Sequence, residues 1–244
     1  MAGPVGQEAA VAEAVIGILM LETRFPRPPG DVGNPLTWRF PVCLRVVAGA
    51  RAETVVHTRA EALVPAFCAA ARELVAEGAR GIVANCGFLA LHQEALAEAA
   101  GVPVLSSSLL QVALAERLLP PGQRAGVLTI APGSLTPAHL AAAGARPDTP
   151  IEGVPAGGAL AGPILGDGPH LDMAAAEAEM VAAAQRLAAR PDVGALVFEC
   201  TNMAPYAAAV QRATGLPVHT MVGLIEWFHA ALAVPVWPRG GVSD

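Results

Sequence analysis

Residues 81–106, GIVANCGFLALHQEALAEAAGVPVLS, match residues 195–220, ALVFECTNMAPYAAAVQRATGLPVHT, without a gap and 114 residues apart. That register sets Cys86 on Cys200, Ala90 on Ala204, Gly101 on Gly215, Pro103 on Pro217 and Val104 on Val218. Each copy reads as an apolar run of strand length, a cysteine, a helical stretch closed by glycine, and a second short apolar run. A cysteine so placed projects from the carboxyl end of a strand, where open α/β sheets bind ligands. Two such halves facing each other bring two thiols to one cleft. Thiols on opposite sides of a carbon can move a proton from one face of it to the other.

Outward from this repeat, further apolar runs stand at 15–21, 42–47 and 125–130, and amphipathic stretches at 59–77, 174–189 and 221–232. Alternation of this kind builds an α/β chain with a mostly parallel sheet. Gly78, Gly101, Gly144 and Gly215 stand where helices should end. The duplication predicts a discontinuous first domain of residues 1–108 plus 218–244 and a second domain of residues 109–217, with the last helix returning to cover the first sheet. One segment breaks the pattern. Residues 22–40, ETRFPRPPGDVGNPLTWRF, are too long for a strand-to-helix connection and read as a lid or binding loop. A second glycine-rich stretch, 154–168, is similarly placed in the other half.

Composition narrows the chemistry. With 54% apolar and 15% charged residues, the 244-residue chain can bury a sizeable core. The net charge is −6 and the 15 cations, all arginine, are scattered, so nothing would follow a phosphate backbone and nucleic acid is not expected as a partner. There is no lysine. Pyridoxal phosphate chemistry and a P-loop both require one, so both are excluded. The apolar stretch at 15–21 is far shorter than the roughly 20 residues that span a bilayer, and no basic leader precedes it, which predicts a soluble cytoplasmic protein without a membrane partner. Cys43, Cys68, Cys86 and Cys200 show no paired spacing for zinc; free thiols and no metal are expected. Cys43 and Cys68 read as small core residues, and His92 and His219 as structural. GGALAG from Gly157 lacks the flanking strand and helix of a dinucleotide site.

A carbon next to a carboxylate is a weak acid, so removing its proton without a cofactor needs a base in contact and stabilisation of the enolate. A thiol at a helix N-terminus has a lowered pKa, which predicts partly ionised cysteines here. Asn85, Gly87, Thr201 and Asn202 flank the two thiols and are candidates for substrate binding. Ser106 and Ser107, with Ser108, offer amides at a helix start to a carboxylate, and Thr129 extends the set from the other half. Glu22 and Glu199 could orient a thiol or be solvated at strand ends. Arg24, Arg27 and Arg39 are candidates to pair a second carboxylate.

NCGF around Cys86 and ECTNM around Cys200, each between an apolar strand and a helix, resemble the aspartate/glutamate racemase superfamily over nearly the whole chain. The resemblance implies two pseudo-symmetric Rossmann-like domains, cofactor-independent chemistry in the cleft between them, a small carboxylate substrate and a homodimer. It assigns Cys86 and Cys200 as the acid/base pair, with Asn85, Thr201 and one serine of 106–108 binding substrate. Two positions depart from the pattern. Amino acid racemases of this kind commonly carry threonine where this chain has Gly87, and glutamate racemases carry histidine where it has Asn202. The PGDVGNPLTW loop resembles that of the eukaryotic dimethylsulfoniopropionate lyase branch. The sequence thus predicts a two-base thiol racemase or epimerase, with a lyase that begins by the same proton abstraction as the alternative. Hydantoin racemases and maleate isomerases are further alternatives, and a ligand-binding module without chemistry would leave the paired thiols unexplained.

Overall fold

The computed structural model describes residues 15–235; the stretches 1–14 and 236–244 of the expected first domain lie outside the described residues. In chain order the elements are β1 (Val15–Leu21), β2 (Val42–Val47), α1 (Ala52–Thr58), α2 (Val64–Ala76), β3 (Ala79–Ala84), α3 (Gln93–Ala100), β4 (Val104–Leu105) and α4 (Val112–Leu118). They continue with β5 (Arg124–Thr129), α5 (Pro137–Ala142), β6 (Ile151–Gly153), α6 (Ala161–Leu165), α7 (Met173–Ala188), β7 (Val193–Phe198), α8 (Ala207–Thr214), β8 (Val218–His219) and α9 (Met221–Leu232). The class is α/β, as expected. Two four-stranded sheets have the orders β2-β1-β3-β4 and β6-β5-β7-β8, with every pairing parallel. The two orders are the same, so the repeat seen in sequence is a repeat of topology.

Helices on both faces bury the central strands, which is why β1, β3, β5 and β7 read as nearly continuous apolar runs rather than alternating ones. Matching backbone bonds recur in each half: Asn85 N–H donates to Leu19 O as Glu199 N–H does to Leu128 O, and Gly101 and Gly215 both end helices at positive φ. Val218–His219 pairs with β7 in the second sheet, and Thr220 then caps α9 by accepting from Gly223 N–H. Helix α9 returns to lie on β3. A side chain at Gly81 would come within 2.6 Å of Leu232 and 2.7 Å of Phe228, so the strand's missing Cβ is what lets the helix seat.

Three features differ from the expected elements. The stretch 59–77 is not one helix: Arg59 and Ala60 are both left-handed, with φ of 61° and 55°, and a short 3-10 turn leads into α2. Helix α1 and the three-residue edge strand β6 were not expected. The 22–40 segment is ordered by its own bonds: Asp31 accepts from Gly33 N–H at 2.7 Å, Asn34 Nδ2 donates to Arg27 O at 2.7 Å, and Trp38 Nε1 donates to Val32 O at 3.1 Å. No helix among the described residues is long and apolar enough to cross a membrane.

Candidate active site

Strands β3 and β7 end one residue short of Asn85–Cys86 and Glu199–Cys200, so each dipeptide runs past the carboxyl edge of its sheet. A tight turn follows each: Leu89 N–H donates to Cys86 O and Met203 N–H to Cys200 O, both at 3.1 Å. Both thiols line one narrow, partly open pocket. Its walls are largely apolar, with Phe25 from the long loop, Val56 from α1, Phe88, Ile130 and Ile164 from α6.

The two halves touch at the pocket floor through crossed contacts. The residue after one cysteine meets the residue before the other. Thr201 Oγ1 donates to Asn85 O at 2.7 Å. At the matching position Gly87 faces Glu199 so closely that a Cβ there would be driven into the Glu199 carboxyl and its backbone oxygen. The departure at Gly87 therefore has a physical cause. Room that a side chain would take is filled by the carboxyl group of Glu199.

That carboxyl is 1% exposed and Oε2 accepts from Thr129 Oγ1 at 2.8 Å. Burial pushes its pKa from 4.5 up to about 7, against the opposing pull of the Thr129 hydroxyl and the Ile130 N–H. The native state therefore holds a proton that the unfolded chain releases between pH 4.5 and about 7, so stability falls as pH rises through that window. Glu199→Gln, which cannot ionise, is expected to be more stable than the wild type at pH 8 by on the order of 3 kcal/mol, and equal to it below pH 4.5. Thermal melts across pH check this; a Gln variant with no pH-dependent gain would refute it.

The thiols do not match the expectation of partial ionisation. Burial pushes Cys86 up to about 12, with the nearby Glu199 charge adding to it; the Phe88 N–H and Arg27 pull the other way and lose. Cys200 is raised well above its ordinary range by burial first and Glu199 second, with Asn202 N–H opposing. A single turn of backbone dipole is outweighed by an apolar pocket that already holds a carboxyl. Both cysteines rest as neutral thiols.

The long loop supplies a buried polar chain. Cys200 Sγ donates to Asn202 Oδ1 at 3.3 Å, Asn202 Nδ2 donates to Asp31, and Asp31 pairs with Arg27 at 2.9 Å. Arg27 also donates to Thr23 Oγ1 at 2.8 Å and lies over the Phe25 ring at 4.4 Å. Asn85 Oδ1 accepts from Leu21 N–H at 2.9 Å, which fixes the amide and leaves its buried Nδ2 without a partner among the described residues.

Of the residues singled out in the sequence, Cys86, Cys200, Asn85, Gly87, Asn202, Arg27 and Glu199 line the pocket. Thr129 and Thr201 stand behind it, holding Glu199 and Asn85. Glu22, Arg24, Ser106 and Ser107 are likewise not among its lining residues. Glu22 accepts from Gly49 N–H at 2.8 Å and so ties down the turn after β2. Arg24 is 86% exposed and pairs with Asp167 at 3.0 Å. Ser106 N–H donates to Gln93 Oε1 at 3.0 Å while its buried hydroxyl is without a partner among the described residues, and Ser107 Oγ accepts from Leu109 N–H at 3.1 Å. Asn85 Nδ2 and Ser106 Oγ are thus both buried polar atoms left unpaired among the described residues. Sequence reasoning missed Phe25, Asp31 and Phe88; the one available signal was their nearness to PGD and NCGF. Cys43 and Cys68 are half-buried against the core.

The chain is similar to dimethylsulfoniopropionate lyase 5 of Emiliania huxleyi (strain CCMP1516), 29% identical over 239 residues that cover 90% of this chain and 46% of that protein. It is 25% identical to dimethylsulfoniopropionate lyase of Durusdinium sp. clade D over 251 residues, 99% of this chain and 82% of that one. The chain thus spans about half the length of the former and most of the latter. No protein-family model matches it. Among solved structures, unliganded arylmalonate decarboxylase superposes with a TM-score of 0.57 at 17% identity, covering 93% of this chain and 97% of that one. Picrophilus torridus aspartate racemase superposes at 0.54 and 12% identity, covering 93% and 96%. The fold is that of the aspartate/glutamate racemases and arylmalonate decarboxylase, and the sequence resembles the lyases.

Proposed function

We propose that this chain is an enzyme that begins by taking a proton from the carbon next to a carboxylate, with Cys86 and Cys200 as its acid/base pair and without a cofactor. The observation that carries the reading is the convergence of two sequence-matched thiols, one from each half, on a single largely apolar pocket. Exclusion of water strengthens each electrostatic contact with a developing enolate, and Asn85 Nδ2 is a donor not engaged elsewhere.

We favour β-elimination as the outcome. Arg27 is tied to Asp31, so no lining cation is free for the second carboxylate of an aspartate or glutamate. The curated relatives are named for dimethylsulfoniopropionate, which carries a cationic sulfonium. A thiolate would remove the α proton, the electron pair would form the carbon–carbon double bond, and the β carbon–sulfur bond would break to release dimethyl sulfide and leave acrylate. A racemase outcome is the second reading, supported by the matched positions of the thiols. We also propose that the protein acts as a homodimer in the cytoplasm. Adding dimethylsulfoniopropionate and measuring headspace dimethyl sulfide should show turnover. Incubating amino acids in deuterium oxide and following loss of the α-proton signal tests racemisation. Neither release nor exchange with any of these would refute the reading.

A further inference from the structure

Glu199 is a buried carboxyl that the two-thiol reaction leaves without a role. We propose that Glu199 is the proton relay of this pocket, taking the proton from the thiol that is to act as base and returning it to the cysteine later left as thiolate. The inference rests on the reading above, that the reaction starts at a carbon acid.

The geometry carries it. Glu199 is bonded in sequence to Cys200, and its carboxyl packs on Gly87, the residue after Cys86, so it is adjacent in the chain to one thiol and one residue away in space from the other. It lines the same pocket as both. The other ionisable group lining that pocket is Arg27, which is held by Asp31 and Thr23 and has no acceptor to offer. Asp31 stands behind, occupied by Arg27, Gly33 N–H and Asn202. Thr129 Oγ1 orients the carboxyl from β5. Neutral thiols must lose a proton before they can act, and among the described residues lining the pocket Glu199 is the one able to accept it.

The steps balance. Glu199 carboxylate takes the proton of one thiol and becomes a carboxylic acid. The thiolate takes the α proton of the substrate and is a thiol again. In a racemisation the carbanion takes the proton of the second cysteine, and that thiolate is restored by the acid form of Glu199. In an elimination the electron pair leaves with the β substituent, and Glu199 releases its proton to solvent. A carboxylate that must be ionised to accept sets an activity limb that rises with pH through neutrality.

The test has two arms on the full chain. Glu199→Gln is expected to cut dimethyl sulfide release by about 100-fold or more and to abolish the rising limb; Glu199→Asp should restore part of the activity. Thr129→Val, which removes the donor that favours ionised Glu199, should move the limb to higher pH and keeps the test decisive if the Gln variant does not fold. The second arm needs no substrate. Iodoacetamide alkylation of Cys86 and Cys200, resolved by peptide mass spectrometry, follows the thiolate fraction. Removing the carboxylate charge should make both thiols react several-fold faster above pH 7 while turnover falls, a divergence that a merely structural role would not produce. Unchanged alkylation profiles, or full turnover with the limb intact, would overturn the relay. A wild type inactive on every substrate defeats the functional reading instead, and the alkylation arm still decides whether Glu199 governs the thiols.

Discussion

Cys86→Ser and Cys200→Ser are each expected to lower turnover, by about 1000-fold for the cysteine that takes the α proton, while leaving the circular dichroism spectrum and melting temperature close to those of the wild type. Serine keeps the volume and a hydroxyl in place of the thiol, so the pocket stays packed, but an alcohol is a far weaker acid than a thiol and does not ionise among Phe25, Phe88 and Ile130. The pair of variants also separates the two outcomes. A racemase needs both groups, yet each single variant should still wash the α deuterium into one enantiomer, because one thiol is enough to remove a proton from its own side. In an elimination the second thiol assists only, so the two variants should differ from each other by at least about tenfold. Full activity in both would end the role of the thiols.

Gly87→Thr should be the most damaging single change to folding. The added Cβ meets the Glu199 carboxyl and, behind it, the backbone oxygen of the same residue. A side chain can rotate away; a backbone oxygen at the end of buried β7 cannot move without shifting the strand. Overpacking a core costs about 1–3 kcal/mol where side chains can yield, and this site should exceed that range. Gly87→Ala should already show a lowered melting temperature. Combining Gly87→Thr with Glu199→Ala relieves the carboxyl part of the clash, so the double variant should be more stable than the sum of the two single changes predicts. Gly87→Ala melting with the wild type would mean that the halves are not in contact there.

Much of the fold was legible because the apolar runs have sharp edges. β1, β2 and α9 fall on the expected residues: β1 and β2 stop at polar or glycine-rich turns, and Thr220 announces α9. What escaped were elements whose signal is short or conformational. β6 has three residues, one of them Glu152, and a three-residue edge strand has no period to read. The break at Arg59–Ala60 depends on positive φ at residues that rarely adopt it, which no hydrophobic pattern encodes. At the site, the repeat located the thiols and their immediate neighbours. It could not show that Ser107 turns into local capping while the Ser106 hydroxyl stays buried and unpaired, or that the loop presents Arg27 rather than Arg24, because those outcomes depend on how the chain closes over them. The ionisation of the thiols was misjudged for a related reason: the sequence shows a helix start, whereas burial is a property of what folds over it.

The crossed contacts at the pocket floor carry one more consequence. On one side a hydroxyl from Thr201 meets the Asn85 carbonyl; on the other the Glu199 carboxyl rests against bare backbone at Gly87. A ligand turned to its mirror image would exchange these two surroundings. If the floors were identical, left and right forms would be held alike. Here they meet a hydroxyl-backed thiol or a carboxyl-backed one, so any chiral preference of this protein has its origin in a side chain that position 87 does not possess.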